Sequence, residues 1–301
     1  MDDELTVSVG DRRLRVSSLD RVLYPDVGFS KAELIDYYTA VADLVLPHVR
    51  GHPITLHRYP SGVGGPHFYQ TRCPPHPGWV RTATMHFPKT GKTFEAPVLD
   101  DVAALVWAAN LATIELHPFL GHADRIRHPT QLVFDLDPGD PAGFPQACAV
   151  AIDVRAMLAD VGLRGWPKTS GLKGLHLHVP LDGSATYADT KPFARAVAAT
   201  LSRAQPDRVV DRMTRALRAG KVFIDWSQND PGKSTVAPYS LRGGPAPTVA
   251  TPITWDEVAR AAGDGTNPVY GPEQVRRRLD EHGDLLAPLL TTAQRLPGSP
   301  S

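Results

Sequence analysis

Gln131-Leu-Val-Phe-Asp-Leu-Asp-Pro138 is the stretch on which the fold turns. Leu132, Phe134 and Leu136 alternate with Val133, Asp135 and Asp137, the period of a strand with one buried face. Asp135 and Asp137 therefore project to the same side, and Pro138-Gly139 ends the strand. Two carboxylates that close repel each other, and both stay ionised only beside a cation or strong donors. Hard oxygen ligands so placed suit Mg²⁺ or Mn²⁺. Aspartate before Pro-Gly is also ordinary turn chemistry, so the pair alone admits a solvated turn as well.

Outward from this strand, helices and strands mix without a regular βαβ period. A helix at about 144–160 and a strand near 164–168 follow it. Leu175-His-Leu-His-Val179 alternates strictly, a strand with two different faces. Helices at about 187–204 and 211–219 lead into Val222-Phe-Ile-Asp225, and a further strand spans about 234–239. Toward the N-terminus, Leu5–Val9 and Leu14–Val16 read as a hairpin. Ser30-Lys-Ala-Glu33 is a capping box opening a helix that buries Leu34, Tyr37, Tyr38, Val41 and Val45. Strand-like segments follow at 53–58, 66–71, 81–86 and 93–98, and Asp100-Asp101 open an apolar helix to about Ala112. The fold class is α+β. The reading is one domain over 1–301, with a β-rich sub-lobe at about 1–125, a core at about 126–250 and a helical tail at 251–301.

Composition narrows the classes. The 301 residues are 42% hydrophobic and 21% charged, as in an ordinary globular protein. Two cysteines, Cys73 and Cys148, support neither a disulfide framework nor a Cys-rich zinc site. No stretch approaches the roughly 18–20 apolar residues of a membrane helix, and the acidic start is unlike a secretory signal. The expectation is a cytoplasmic protein without a membrane partner. Lys+Arg and Asp+Glu are both 32, yet the stretch from Arg203 to Arg242 carries eight Lys/Arg against four Asp. That excess suits a basic groove for a polyanion, or simply a solvated helix face.

Further candidates surround the paired aspartates. Asp225 ends an apolar strand; three carboxylates at strand ends are what two-metal nucleotidyl transfer requires, with metals about 3.5–4 Å apart. Ser170-Gly-Leu-Lys-Gly174 lies between two strands, where its glycines allow close approach to phosphate oxygens and Lys173 adds a charge; it reads equally as a hairpin turn. His176 and His178 share one strand face, suiting metal ligation, a nucleotide contact or a half-buried structural role. Ser227, Gln228, Lys233 and Arg242 supply donors after Asp225, and Arg242 is either a bidentate phosphate clamp or a surface arginine in a Gly-rich turn. Lys-x-Asp-Gly, the nucleophile motif of nucleic-acid ligases, does not occur, nor do His-Glu-x-x-His and Gly-x-Ser-x-Gly.

Taken together, Leu-Asp-Arg-Val-Leu-Tyr-Pro (19–25), Val-Phe-Asp-Leu-Asp-Pro (133–138), Thr-Ser-Gly-Leu-Lys-Gly-Leu-His (169–176), Arg-Ala-Gly-Lys-Val-Phe-Ile-Asp-Trp-Ser-Gln-Asn (218–229) and Ala-Pro-Tyr-Ser-Leu-Arg-Gly (237–243) resemble the polymerase domain of the bacterial end-joining ligase D. That family belongs to the archaeo-eukaryotic primase superfamily. The resemblance runs from about Leu19 to Leu289. It implies a primase-polymerase core with an RNA-recognition-like sheet and a second β-rich sub-lobe.

The resemblance further implies a template-directed nucleotidyltransferase that adds nucleotides, ribonucleotides by preference, to DNA 3′ ends in short gaps or at breaks. Asp135, Asp137 and Asp225 match its catalytic, metal-binding triad for two Mn²⁺ or Mg²⁺ ions, with an NTP or dNTP as substrate. Ser170, Lys173, His176, His117, Gln228 and Arg242 match nucleotide contacts. Lys31 matches a lysine for the downstream 5′-phosphate, while Arg21 stands where many members have Lys and Ser18 where some have Asn. Phe68-Tyr69 resembles an aromatic pair that stacks on bases; adjacent strand residues face opposite ways, so one is expected to stack and the other to pack in the core. DNA is the implied partner, with a separate ATP-dependent ligase and a Ku-like end binder beside a stand-alone polymerase without ligase activity. The rival readings are a metal-dependent nuclease or phosphoesterase on the same carboxylates, and a non-catalytic module that bridges DNA ends.

Overall fold

Residues 4–87 and 91–298 are described by the computed structural model. The expected hairpin forms from β1 (Leu5–Val9) and β2 (Arg12–Val16). Short strands β3 (Val22–Tyr24) and β4 (Phe29–Ser30) precede α1 (Lys31–Ala40). The capping box is present: the Glu33 N–H donates to Ser30 Oγ at 3.3 Å and the Ser30 N–H to the Glu33 carboxylate at 2.7 Å. The helix breaks at Val41 and resumes as α2 (Ala42–Val49), so the single predicted helix is two.

Next come β5 (Ile54–Arg58), β6 (Phe68–Gln70), β7 (Arg81–Phe87) and β8 (Lys92–Val98). Helix α3 (Val102–Asn110) is capped by Asp101, whose carboxylate accepts the Ala104 N–H at 2.8 Å. It leads to β9 (Thr113–Pro118). Strands β6, β5 and β9 form one antiparallel sheet in that order.

The second half contributes β10 (Gln131–Pro138), α4 (Phe144–Asp160), β11 (Trp166–Thr169), β12 (Leu175–Pro180) and α5 (Tyr187–Ala204). Then follow β13 (Val209–Val210), β14 (Val222–Asp225), β15 (Leu241–Gly243) and β16 (Pro247–Val249). Helices α6 (Trp255–Asp264), α7 (Pro272–His282) and α8 (Pro288–Thr291) make the interrupted helical tail. The central sheet has the order β11-β12-β10-β14-β13, antiparallel except for the β13–β14 pair. Helices α4 and α5 pack against β10. Leu132, Phe134 and Leu136 are fully buried, and truncating a buried phenylalanine to alanine typically costs about 3–5 kcal/mol. The mixed sheet and helices make the fold α+β.

Two compact units emerge. One comprises Met1–Phe119, Ser234–Ala250 and Tyr270–Asp280; the other comprises Leu120–Lys233, Thr251–Val269 and Glu281–Ser301. The segment 234–250, which the sequence reading groups with the core, belongs to the first unit.

Two predicted elements are absent. Residues 211–219 form only a 3-10 turn at Arg215–Leu217. Met213 and Leu217 stay exposed there, so a helix would bury no apolar stripe. Residues 234–239 do not form a strand. Thr235 and Ala237 donate to the carbonyls of Pro118 and Leu116, but Pro238 has no N–H to continue the ladder and Tyr239 turns away at φ 61°.

Candidate active site

Antiparallel pairing sets the aspartates. Asp135 lies opposite Asp225 on β14 and opposite His176 on β12, and His176 lies opposite Lys168 on β11. Directly opposed residues share a face, so Lys168, His176, Asp135 and Asp225 form a row across four strands. Asp137 joins that face two residues along β10. His176 Nε2 is 3.3 Å from Asp135 Oδ1. The Gln228 amide donates to Asp135 Oδ2 and to Asp225 Oδ2, each at 3.3 Å. Ser227 holds the other Asp225 oxygen through its N–H at 3.0 Å and its hydroxyl at 2.6 Å. Arg218 Nη1 lies 3.4 Å from Asp137 Oδ2, with its guanidinium stacked on Phe223.

The electrostatics of the neighbours diverge. Burial pushes Asp135 up, but His176, Lys168 and Gln228 outweigh it and hold the carboxyl below its ordinary value. Asp137 is pushed up by burial and by the Asp135 charge, against the pull of Lys173 and Arg218. Lys168 is fully buried and was not legible as a site residue, because the register that aligns it with His176 is a tertiary fact. The donor set is three carboxylates, one of them crowded by another. That chemistry fits hard divalent cations.

The Ser170–Gly174 segment is the hairpin turn joining β11 to β12. Ser170 Oγ accepts the N–H groups of Leu172 at 3.2 Å and Gly174 at 3.0 Å. Gly174 is obligatory for packing: a Cβ there would sit 2.6 Å from the Leu136 carbonyl oxygen. Lys173 is half-exposed, 3.8 Å from the exposed Asp140 carboxylate. Ser170, Lys173, His176 and Gln228 thus share a unit with the aspartates.

His117 and Arg242 belong to the other unit, where both meet Glu115. His117 Nε2 is 2.7 Å and Arg242 Nε 3.5 Å from Glu115 Oε2. His57 stands opposite Glu115 in the β5–β9 register, with Nδ1 at 3.3 Å. The other Glu115 oxygen accepts the Gly243 N–H at 2.8 Å and the Tyr59 hydroxyl at 3.3 Å. Burial would raise the Glu115 carboxyl, but His117, His57 and Arg242 hold it far below the usual carboxylate range. Among the described residues, His57, Glu115 and His117 are the one group whose ligand atoms lie within 4.8 Å of one another, close enough to hold a metal ion. Sequence reasoning missed Glu115 and His57. The signal was there: Thr113, Glu115 and His117 alternate with Ile114 and Leu116, the pattern already used for 175–179.

Arg21, Lys31 and Ser18 lie together in this unit. Arg21 donates to Ser18 Oγ at 3.0 Å, the Lys31 N–H to the Arg21 carbonyl at 2.8 Å, and Lys31 Nζ to the Ser17 carbonyl at 2.5 Å. Ser18 has φ 51°, in the left-handed region. Phe68 and Tyr69 correct an expectation. Neither packs in the core; they are 45% and 60% exposed. Strand β6 is a three-residue edge, too short to bring cover to either face. Phe68 meets the Arg58 guanidinium, and Tyr69 stacks on His57 at 3.8 Å between centroids.

Comparison with known proteins now bears on this arrangement. Residues 30–286 match the family model described as LigD, primase-polymerase domain. The chain belongs to that family. The multifunctional non-homologous end joining protein LigD of Mycolicibacterium smegmatis is 44% identical over 280 residues, which cover 92% of this chain and 36% of that protein. The Mycobacterium tuberculosis LigD is 41% identical over 288 residues, covering 93% and 37%. This LigD primase-polymerase domain therefore spans little more than a third of those relatives' length. The solved polymerase domain of M. tuberculosis ligase D, in complex with DNA, superposes with a TM-score of 0.86 at 39% identity, covering 94% of this chain and all of that one. Among the described residues no helix is long and apolar enough to cross a membrane.

Proposed function

We propose that this LigD primase-polymerase domain is a template-directed nucleotidyltransferase of DNA end joining. It adds nucleotides, ribonucleotides by preference, to DNA 3′ ends in short gaps or at breaks. The observation that carries the reading is the cross-strand row that sets Asp225, Asp135 and His176 side by side with Asp137 on the same face. Asp135, Asp137 and Asp225 would hold two divalent ions, Mn²⁺ in preference to Mg²⁺. Bound there, such ions lower the pKa of a primer 3′-hydroxyl and neutralise charge on the triphosphate.

The chain's own residues do the rest. Gln228 and Ser227 fix the carboxylates of Asp135 and Asp225 so that their oxygens are oriented before substrate arrives. Lys173, Ser170, His176, His117 and Arg242 contact the nucleotide, the cations offsetting phosphate charge. Arg21 and Lys31, beside the N-terminus of α1, would receive a downstream 5′-phosphate through their side-chain charges. Phe68 and Tyr69 offer exposed faces for base stacking. A separate ligase and a Ku-like end binder are its proposed partners.

Primer extension on a short-gapped duplex tests this, with Mn²⁺, either sugar, and the downstream 5′-phosphate present or absent. Filling that favours ribonucleotides, rises with the phosphate and is lost in Asp137→Ala supports the reading. Nucleotide-independent loss of substrate would favour a nuclease instead, and no extension by folded, DNA-binding protein would leave only end bridging.

A further inference from the structure

Glu115 is 2% exposed, an ionised carboxylate in the interior of its unit. A charge so enclosed is costly unless every lone pair is engaged, and here both oxygens are engaged by different kinds of group. Oε1 takes the main-chain N–H of Gly243 and the Tyr59 hydroxyl. Oε2 faces His117, His57 and Arg242. One oxygen thus ties down the backbone of β15 and the other meets side chains on β9, β5 and β15.

We propose that Glu115 is a positioning residue, which presets the His117 imidazole and the Arg242 guanidinium to receive the triphosphate of the incoming nucleotide. This rests on the nucleotidyl-transfer reading and adds to it a residue that touches no substrate. Three features support it. Arg242 sits on a three-residue strand with its side chain mostly buried and Nε 3.5 Å from Glu115 Oε2, so the fixed carboxylate helps set the direction of the guanidinium before binding. Glu115 reaches His117 because residues i and i+2 of β9 share a face, so the pair is oriented by a strand and not by a loop. Gly243 is shaped for the contact, since a Cβ there would lie 2.1 Å from the Tyr59 ring; the missing side chain is what lets its N–H approach Oε1.

The same His57, Glu115 and His117 have metal-ligand spacing. The carboxylate's oxygens are already engaged by protein donors, however, and a dication would sit beside the Arg242 charge. The positioning role fits these neighbours better.

Steady-state gap filling with Glu115→Gln tests it, since glutamine keeps an oxygen for the Gly243 N–H and loses the charge. The expected result is a nucleotide KM raised about tenfold with kcat changed less than threefold and DNA affinity unchanged. In a His117→Ala/Arg242→Ala background the same substitution should add less than twofold, because there is nothing left to position. A general structural defect would instead multiply through that background. Unchanged KM, an undiminished effect in the double variant, or a stoichiometric metal in the purified protein that Glu115→Gln loses would each overturn the proposal. Should Glu115→Gln not fold, His57→Gln takes its place: it removes one neighbour of Oε2, and a two- to threefold rise in KM is expected, no rise being fatal. Equilibrium binding of a non-hydrolysable ribonucleoside triphosphate runs alongside. If the wild type extends no primer, the nucleotidyl-transfer reading fails; weaker triphosphate binding by Glu115→Gln would still uphold the positioning role, and equal binding would end it.

Discussion

Lys168 and Asp135 stand in one cross-sheet row with His176 between them, and the lysine is fully buried. A buried ammonium at the end of a row of carboxylates counters their mutual repulsion. It is one reason that Asp135, though only partly exposed, keeps its charge; His176 is the larger one.

Lys168→Met keeps the side chain's bulk and removes that charge. Taking one partner from a buried set of charges typically costs about 3–5 kcal/mol, and an effect of that order is expected at pH 7. Because Asp135 has a depressed pKa, its favourable contribution exists above the ordinary aspartate range and fades as pH falls through the depressed value. Urea melts of wild type and variant should therefore converge toward pH 3. A gap that stays constant with pH would disconnect Lys168 from Asp135.

Asp137 makes the opposite prediction. Its raised pKa means that the folded protein disfavours the ionised form, so the favourable contribution is complete only below the unfolded-state pKa and is lost as pH rises. Asp137→Asn should melt slightly higher than wild type at pH 7, by a margin that solvent screening of the half-exposed side chain keeps small, and at the same temperature near pH 3, while losing primer extension. Added Mn²⁺ should raise the wild-type melting temperature more than the variant's. A variant less stable at pH 7 would contradict the crowding of Asp137 by Asp135.

Glu115 carries the clearest pH signature. Its carboxyl is depressed by hydrogen bonds that outweigh burial, so it stabilises the fold above about pH 4.3, the ordinary glutamate value, and less as acid is added. Glu115→Gln is expected to lose about 2–3 kcal/mol at pH 7, with the difference shrinking below pH 4. Chemical denaturation across that range reads it directly.

Gly174→Ala probes the turn between β11 and β12. The added methyl meets the Leu136 carbonyl oxygen, a main-chain atom that cannot rotate aside, so the backbones must part. A loss of about 1–3 kcal/mol is expected, together with a higher nucleotide KM as Ser170 moves. An alanine variant with unchanged stability and kinetics would show that the close approach is dispensable.

The sequence disclosed what local periodicity encodes. The strand at 131–138, the helix at 144–160 and the Ser30 capping box all stand at or near their predicted bounds, because one buried face or one cap decides each. The pairing of Asp135 with Asp137 was legible for the same reason. The partner across the sheet was not: only strand register aligns His176, Asp135 and Asp225, and only it reveals Lys168. Residues 211–219 misled through composition, since helix-forming residues without an apolar stripe have nothing to pack against. Glu115 was hidden by attention to His117 alone, although the alternation of its strand was in plain view.

The order of the chain has a consequence for synthesis. Arg242 and Gly243 complete the surroundings of Glu115, yet they leave the ribosome only after Leu120–Lys233 have been made. Throughout that interval the acidic group has His57, Tyr59 and His117 already in the chain but lacks the Arg242 guanidinium and the Gly243 N–H, and water must take their place. A segment made before Leu120–Lys233 is thus finished only after them. A nascent chain stalled near Lys233 should be an easy target for proteases, and the arrival of β15 works as the latch that ends this vulnerability.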